Sequence, residues 1–310
     1  MLSVVIPTYN EEMVIKETIT QINHLLTESN VIFEIIVVND GSIDKTLDIC
    51  IALKKIYDFR IINLATNCGH MTAIMAGLEA SRGNLVATMD SDLQDPPKDL
   101  VSMYKIFINK LQNPKSSNID VIQAYRIDRS SDTFFKRITA EIYYKIITRI
   151  TGIKIIHNAA DFRIMTREVV DALIASSERN SIYRLLIPKM GFKIEPYPIT
   201  RQKRFAGQSK YKLKTMTKLF IDSILTFSSK PLKYLFFLGM LSYLFMLTSF
   251  VVVLVIYFTG SNISVLLLVL SILLTINGLL LVGIGVIGEY VGRIYELVQN
   301  KPKVNWIEIV

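Results

Sequence analysis

Two uncharged apolar runs near the C-terminus, residues 235–258 and 263–287, constrain this 310-residue chain more than any other feature. Each exceeds the ~20 residues a helix needs to cross a ~30 Å hydrocarbon core, and two such runs side by side do not suit a soluble domain. The sequence therefore predicts two transmembrane helices joined by Thr259-Gly260-Ser261-Asn262, a connection without charge. Lys230, Lys233 and Arg293 flank the pair at its outer ends, so the positive-inside rule puts both ends in the cytoplasm. The opening MLSVVIPTYNEE has an apolar run too short for a secretory h-region and no basic segment before it, so the globular part is expected to stay in the cytosol. Cys50 and Cys68 are the only cysteines; they suit a reducing compartment and offer no disulfide framework.

The charge balance, 35 Lys and Arg against 27 Asp and Glu, calls for an anionic partner. Nucleic acid would want a basic stripe interleaved with aromatics in a soluble domain. Here the lysines crowd into RQKRFAGQSKYKLKTMTK, just before the first apolar run, a placement that suits lipid headgroups or a phosphate at the bilayer surface. Residues 210–227 set Leu213, Met216, Phe220, Ile224 and Phe227 at helical spacing, with Lys210, Lys214 and Lys218 on a different face. That pattern predicts an interfacial helix lying on the membrane before the chain turns into it at Pro231.

Ahead of this region, strand and helix signals alternate. LSVVIPT, FEIIVVN, RIINLA and NLVATMD read as strands, with MVIKETITQINHLLTE, DKTLDICIALKKI and HMTAIMAGLEAS as the helices between them. Short Val- and Ile-rich runs separated by helices predict an α/β fold, a mostly parallel Rossmann-like sheet covered on both faces. IDVIQAYR reads as a further strand and FFKRITAEIYYKIITRI as a further helix. Such sheets bind ligands beyond the carboxyl ends of their strands. Three polar clusters fall at such ends, Tyr9-Asn10-Glu11, Asn39-Asp40-Gly41-Ser42 and Asp90-Ser91-Asp92, and they are expected to share one crevice.

The last cluster opens MDSDLQDPP, which packs Asp90, Asp92 and Asp95 into six residues. Carboxylates this close repel unless something positive sits among them. Oxygen donors at a loop suit a hard divalent cation, Mg²⁺ or Mn²⁺, that also binds substrate phosphates, with Gln94 within reach of the metal or a diphosphate. Asp95-Pro96-Pro97 reads as a turn and helix start. No Walker lysine motif, G-x-G-x-x-G or G-x-S-x-G elbow occurs, and His24, His70 and His157 are scattered without metal spacing.

In order along the chain stand VVIPTYNEE, VVNDGSIDKT, NCGHMTAIMAGLEASRGN, MDSDLQDPP, NAADFRIMTREVVDAL, RFAGQSKYKL and GEYVGRIYEL. Together they resemble the family 2 glycosyltransferases of GT-A fold, and within them the polyprenyl-phosphate glycosyltransferases: dolichyl-phosphate mannose synthases, bactoprenol glucosyltransferases and undecaprenyl-phosphate aminoarabinose transferases. The resemblance covers nearly the whole chain. It implies a catalytic domain over residues 1–207, a juxtamembrane amphipathic helix over 208–231, two membrane helices over 232–289 and a cytosolic tail over 290–310, in a bacterial inner membrane. It further implies transfer of a sugar, with inversion, from a nucleotide-sugar to a polyprenyl phosphate. UDP-glucose is the expected donor, GDP-mannose or UDP-aminoarabinose the alternatives, and a homo-oligomer is a possible assembly.

By the same resemblance Pro7, Tyr9, Asn10 and Glu11 hold the nucleotide. Asp40 lies near base and ribose, followed by Ser42. Asp90, Ser91, Asp92 and Gln94 form the metal and diphosphate site. Asp161 acts near the acceptor. Arg126, Arg204, Ser209 and Lys210 neutralise diphosphate or lipid phosphate. Many relatives have Asp-Thr-Gly-Asp-Phe where this chain has Asn158-Ala159-Ala160-Asp161-Phe162, which leaves Asp161 as the one carboxylate there. The same residues have plainer readings: Asp40-Gly41 as a turn, Ser42 or Asp44 as a helix N-cap, Arg126 and Arg204 as surface charges, Asp161 as the partner of a neighbouring arginine. Two rival functions remain. A processive polysaccharide synthase would carry Q-x-x-R-W, whereas the only tryptophan, Trp306, lies in KVNWIEI. A membrane scaffold that binds nucleotide-sugar without turnover would not need Asp90, Asp92 and Asp161 together.

Overall fold

The computed structural model describes residues 1–113, 119–127, 148–149, 152, 156–176, 183–202, 230–259, 265–298 and 306–309. Most of the helix expected over 134–150, the interfacial helix over 210–227, and Arg204, Ser209 and Lys210 lie outside the described residues. The chain divides into two compact units, Met1–Lys218 with Pro302–Val310, and Leu219–Lys301.

The first unit alternates as its text predicts. Strands β1 (Leu2–Thr8), β2 (Phe33–Asn39), β3 (Arg60–Leu64) and β4 (Leu85–Thr88) are linked by helices α1 (Ile15–Glu28), α2 (Thr46–Leu53) and α3 (His70–Ala80). All seven residues of β1 are buried, as expected of a strand covered on both faces, where no polar alternation survives. Helix α1 buries Ile15, Thr18, Ile19, Ile22 and Leu26, a 3.6-period stripe, against this sheet.

Helix α4 (Pro97–Gln112) begins with a proline in its first turn, where no intrahelical donor is lost. Then follow β5 (Val121–Arg126), β6 (Ala159–Thr166), α5 (Arg167–Ala175), α6 (Tyr183–Lys189) and β7 (Ile194–Ile199). Eight strands form one sheet in the order β7-β5-β6-β4-β1-β2-β3-β8, where β8 is Trp306–Ile309. Strand pairs β1/β2, β1/β4, β2/β3 and β5/β7 are parallel. Strand β6 runs antiparallel to both β4 and β5, so its first residues lie at the carboxyl end of β4.

Packing of α3 on the sheet depends on Gly77. A Cβ there would lie 2.2 Å from Val5 Cγ1 and 2.9 Å from Val38 Cγ2, both on buried strand residues with no room to retreat. Gly77→Ala gains up to about 1 kcal/mol of helix propensity. Overpacking of a core costs about 1–3 kcal/mol and is expected to win. The urea midpoint should therefore fall; an unchanged midpoint would show that the sheet yields at this point.

Strand β8 had no signal in the sequence beyond four residues of mixed character. It caps the edge at β3, with Ile61 opposite Ile309 and Leu64 opposite Trp306. Arg60 Nε and Nη2 donate to the Glu308 carboxylate at 2.5 and 3.0 Å, and Lys54 Nζ donates to Ile309 O at 2.6 Å.

The second unit holds helices α7 (Lys230–Thr259) and α8 (Val265–Val298), which contact each other. Stretch Phe237–Ile256 of α7 has mean hydropathy 2.3 and is long and apolar enough to cross a membrane. Its Phe237, Leu241, Phe245 and Phe250 are exposed, a surface suited to a hydrocarbon solvent. In α8 the apolar stretch among the described residues is Ile276–Gly292, short of a full span. Both expected helices are present, and one of them meets the length and composition of a membrane crossing.

Candidate active site

The polar strand ends converge as the topology requires. The loops after β1 and β2 are stitched together: Asn10 N–H donates to Ser42 Oγ at 3.0 Å, Ile43 N–H to Asn10 Oδ1 at 2.9 Å, and Glu11 N–H to Thr46 Oγ1 at 2.9 Å. Asn10 takes a φ of 53°, a left-handed conformation that Asn tolerates. Gly41, at φ 64°, is glycine of necessity, since a Cβ there would lie 2.5 Å from the Thr66 carbonyl carbon. Pro7 is buried within β1 opposite Val38, while Tyr9, Asn10, Glu11 and Ser42 remain partly accessible around this seam. Ser42 accepts from Asn10, and Asp44 Oδ1 accepts Thr46 N–H at 3.0 Å; the helix N-cap position itself is Lys45.

Asp40 is 3% exposed and accepts two backbone bonds, from Cys68 N–H at 2.7 Å and Gly69 N–H at 3.0 Å, one on each oxygen. Burial pushes its carboxyl above the ordinary range, against the pull of these two bonds and of His70. In this position Asp40 shapes the loop that presents His70, the first residue of α3.

His70 occupies the centre of the site. Its Nε2 lies 3.6 Å from Asp90 Oδ1 and 3.7 Å from Asp161 Oδ2. Asp90 follows β4, and Asp161 stands near the start of antiparallel β6, which brings together carboxylates 71 residues apart in sequence. Asp161 Oδ1 accepts Arg163 Nη2 at 3.0 Å, and that arginine side chain is 3% exposed. The plain pairing expected of Asp161 with a neighbouring arginine is therefore present, and its other oxygen lies beside the same His70 nitrogen that stands beside Asp90. Ala160, where many relatives have glycine, lies within β6 and is not among the described residues of positive φ; Asn158 is, at 60°.

Burial pushes the Asp90 carboxyl up to about 6; His70 pulls it down, while Asp161, Asp92 and Asp95 push it further up. Asp92 Oδ1 accepts Gln94 N–H at 3.1 Å, which closes the acidic turn. Leu93 between them has a φ of 56°, local strain of the kind held at functional loops. Ser91 is buried, and its carbonyl accepts the hydroxyl of Thr18 from inside α1 at 2.7 Å. Gln94 is clasped by Arg201 through its side chain and by Gln202 N–H, at 2.9 Å, through its carbonyl. Asp95, read from sequence as a turn residue, is 2% exposed and pairs with Arg126 at 3.2 Å on both oxygens. That pair uses Nε and Nη2 of Arg126 and fixes the far side of the acidic loop.

Sequence reasoning thus missed His70. A lone histidine 20 residues before Asp90 carries no spacing signal; only its place at the start of α3, after a strand end, marks it. Among the described residues no group of three or more His, Cys, Asp or Glu is arranged to hold an ion by itself. Two carboxylates with the rest of the shell supplied by phosphate and water is the usual arrangement for Mg²⁺.

Residues 3–174 match the family described as Glycosyl transferase family 2. An uncharacterized glycosyltransferase, YkcC, of Bacillus subtilis is 37% identical over 306 residues, 97% of this chain and 91% of that protein. The SfII prophage-derived bactoprenol glucosyl transferase of Shigella flexneri is 34% identical over 306 residues, 97% of this chain and 96% of that protein. Among solved structures, the mannosyltransferase PcManGT of Pyrobaculum calidifontis, in complex with GDP-Man and Mn²⁺, superposes with a TM-score of 0.50 at 17% identity, covering 73% of this chain and 63% of that chain. At that identity the likeness speaks for the fold alone.

Proposed function

This chain belongs to glycosyl transferase family 2, and we propose that it moves a sugar from a nucleotide-sugar, with UDP-glucose as first choice, to a polyprenyl phosphate at the cytoplasmic face of a bacterial membrane. The observation that carries this reading is the meeting of Asp90 and Asp161 across His70 at the carboxyl end of the parallel strands. The near full-length similarity to a bactoprenol glucosyl transferase supports the choice of acceptor and of glucose.

The acidic turn suits a divalent ion, Mg²⁺ or Mn²⁺, on Asp90 and Asp92, with Gln94 beside them. Its donors are hard oxygens, and a cation would offset both the burial of Asp90 and the crowding of the carboxylates around it. When bound, such an ion supplies charge neutralisation for the leaving diphosphate.

The chain's own groups do the rest. The seam of Tyr9, Asn10, Glu11 and Ser42 holds the nucleotide, and Asp40 holds the loop between that seam and His70. Asp161, fixed by Arg163, is assigned to orient the acceptor or to stabilise the positive charge that develops on the sugar. The acceptor phosphate needs no base: its second pKa is ~6, so at neutral pH it is already largely dianionic and attacks with inversion. Arg126 braces the acidic loop through Asp95, and Arg204, Ser209 and Lys210 are assigned the lipid phosphate. Helix α7, followed by α8 as the second crossing, anchors the unit with both termini cytosolic.

Membranes containing the full chain, given UDP-[¹⁴C]glucose, undecaprenyl phosphate and Mn²⁺, should yield a butanol-extractable labelled lipid. EDTA is expected to cut that product by about 10²-fold or more, and added Mn²⁺ or Mg²⁺ to restore it. No extractable product with UDP-glucose, GDP-mannose or UDP-aminoarabinose would favour a nucleotide-sugar-binding scaffold instead.

A further inference from the structure

Strand β6 carries more residues around Asp161 than its neighbour can match. Gln123 stands opposite Arg163 and Tyr125 opposite Ala159, so Ala124 alone faces Ala160, Asp161 and Phe162. A bulge of this kind bends a strand and re-aims the side chains it carries. Two buried side chains, from the strands on either side, grip this one. The Gln123 amide, on a residue 5% exposed, donates to Ala160 O at 2.7 Å and Phe162 O at 3.2 Å, and reaches Ala124 O at 3.1 Å. From β4, Thr88 Oγ1 donates to Asp161 O at 2.8 Å.

Three successive carbonyls, those of residues 160, 161 and 162, each accept a bond from a buried side chain. A polar side chain in a β-strand core is costly unless its hydrogen bonds are made, and a bulge is costly unless its backbone groups are satisfied. Here each requirement meets the other, around one carboxylate.

We infer that Gln123, with Thr88 as its counterpart, is a positioning residue for Asp161: together they hold the bulge in the shape that aims the Asp161 carboxylate, and neither touches substrate. The inference rests on the role given to Asp161 above. Arg163 holds one oxygen of that carboxylate, but Gln123 and Thr88 set the backbone from which it projects.

The test uses the detergent-solubilised full chain with UDP-glucose, Mn²⁺ and undecaprenyl phosphate. Gln123→Met keeps length and removes the donor; Thr88→Val keeps shape and removes the hydroxyl; Thr88→Ser restores it. Gln123→Met and Thr88→Val should lower kcat by about tenfold to a hundredfold and leave KM for UDP-glucose within about twofold, as expected when a reacting group is misplaced but donor binding is not. Thr88→Ser should recover most of the rate. Amide hydrogen exchange over residues 159–163 should quicken in the two donor-less variants. In an Asp161→Asn background, Gln123→Met should cost little more, because its effect passes through the carboxylate already lost.

A full multiplicative loss in that double variant, with Asp161→Asn itself impaired, would overturn the positioning role and leave Asp161's role standing. Wild-type kcat in both donor-less variants would overturn it as well. Wild-type turnover by Asp161→Asn would remove the role of Asp161 and this inference with it. If Gln123→Met does not fold, the contrast between Thr88→Val and Thr88→Ser decides alone.

Discussion

Asp92→Ala is expected to reduce glycosyl transfer by about 10³-fold or more, the loss of several kcal/mol of transition-state stabilisation that accompanies removal of a metal-binding group. The protein should stay folded. Asp92 is half-exposed on a turn, and the Gln94 N–H it accepts from can turn to water when the carboxylate is gone. Its loss also removes one of the charges that raise Asp90, so the turn should relax rather than unravel. Initial rates on UDP-glucose at saturating Mn²⁺, beside a melting curve, check both halves. Turnover within a few-fold of wild type would remove the metal assignment. A collapse of the melting temperature would show that the turn is a structural element first.

Asp161→Asn is expected to lower transfer by about 10²–10³-fold, the effect of withdrawing one preorganised group from developing charge. The substitution is chosen for what it keeps. The asparagine carbonyl oxygen still accepts from Arg163, whose side chain is 3% exposed and would be costly to leave unpaired. Replacement by alanine would remove that hydrogen-bond acceptor along with the charge. Affinity for UDP should be unchanged, as the role proposed for Asp161, at the sugar and acceptor rather than at the nucleotide, requires. A parallel loss of UDP binding and rate would place Asp161 with the nucleotide instead.

The parts of this site that follow from topology were legible in the sequence. Val- and Ile-rich runs and intervening helices fix a sheet, and strand ends of a parallel sheet gather at one edge. That rule alone puts Tyr9, Asp40 and Asp90 in one crevice. What could not be read is which long-range partners those residues take. Asp40 is engaged by Cys68 and Gly69, 28 and 29 residues on, so its first effect is on the loop that carries His70. Asp95 looked like a turn residue because its proline neighbours explain a helix start; its bond to Arg126 crosses 31 residues and has no local signature. Gln123 reads as one polar residue in an apolar strand, and only the antiparallel arrival of β6, with its mismatch in length, gives the amide the two β6 carbonyls of Ala160 and Phe162. Strand β8 was invisible for a related reason: four residues have little pattern, and an edge position is settled by Arg60 and Lys54, about 250 residues earlier.

The most direct measurement is a structure of the full chain with UDP-glucose and Mn²⁺. The ion should lie on a carboxylate oxygen of Asp90 or Asp92 beside the diphosphate, with the sugar directed toward Asp161. An ion and diphosphate bound elsewhere, or a sugar turned away from Asp161, would contradict this assignment.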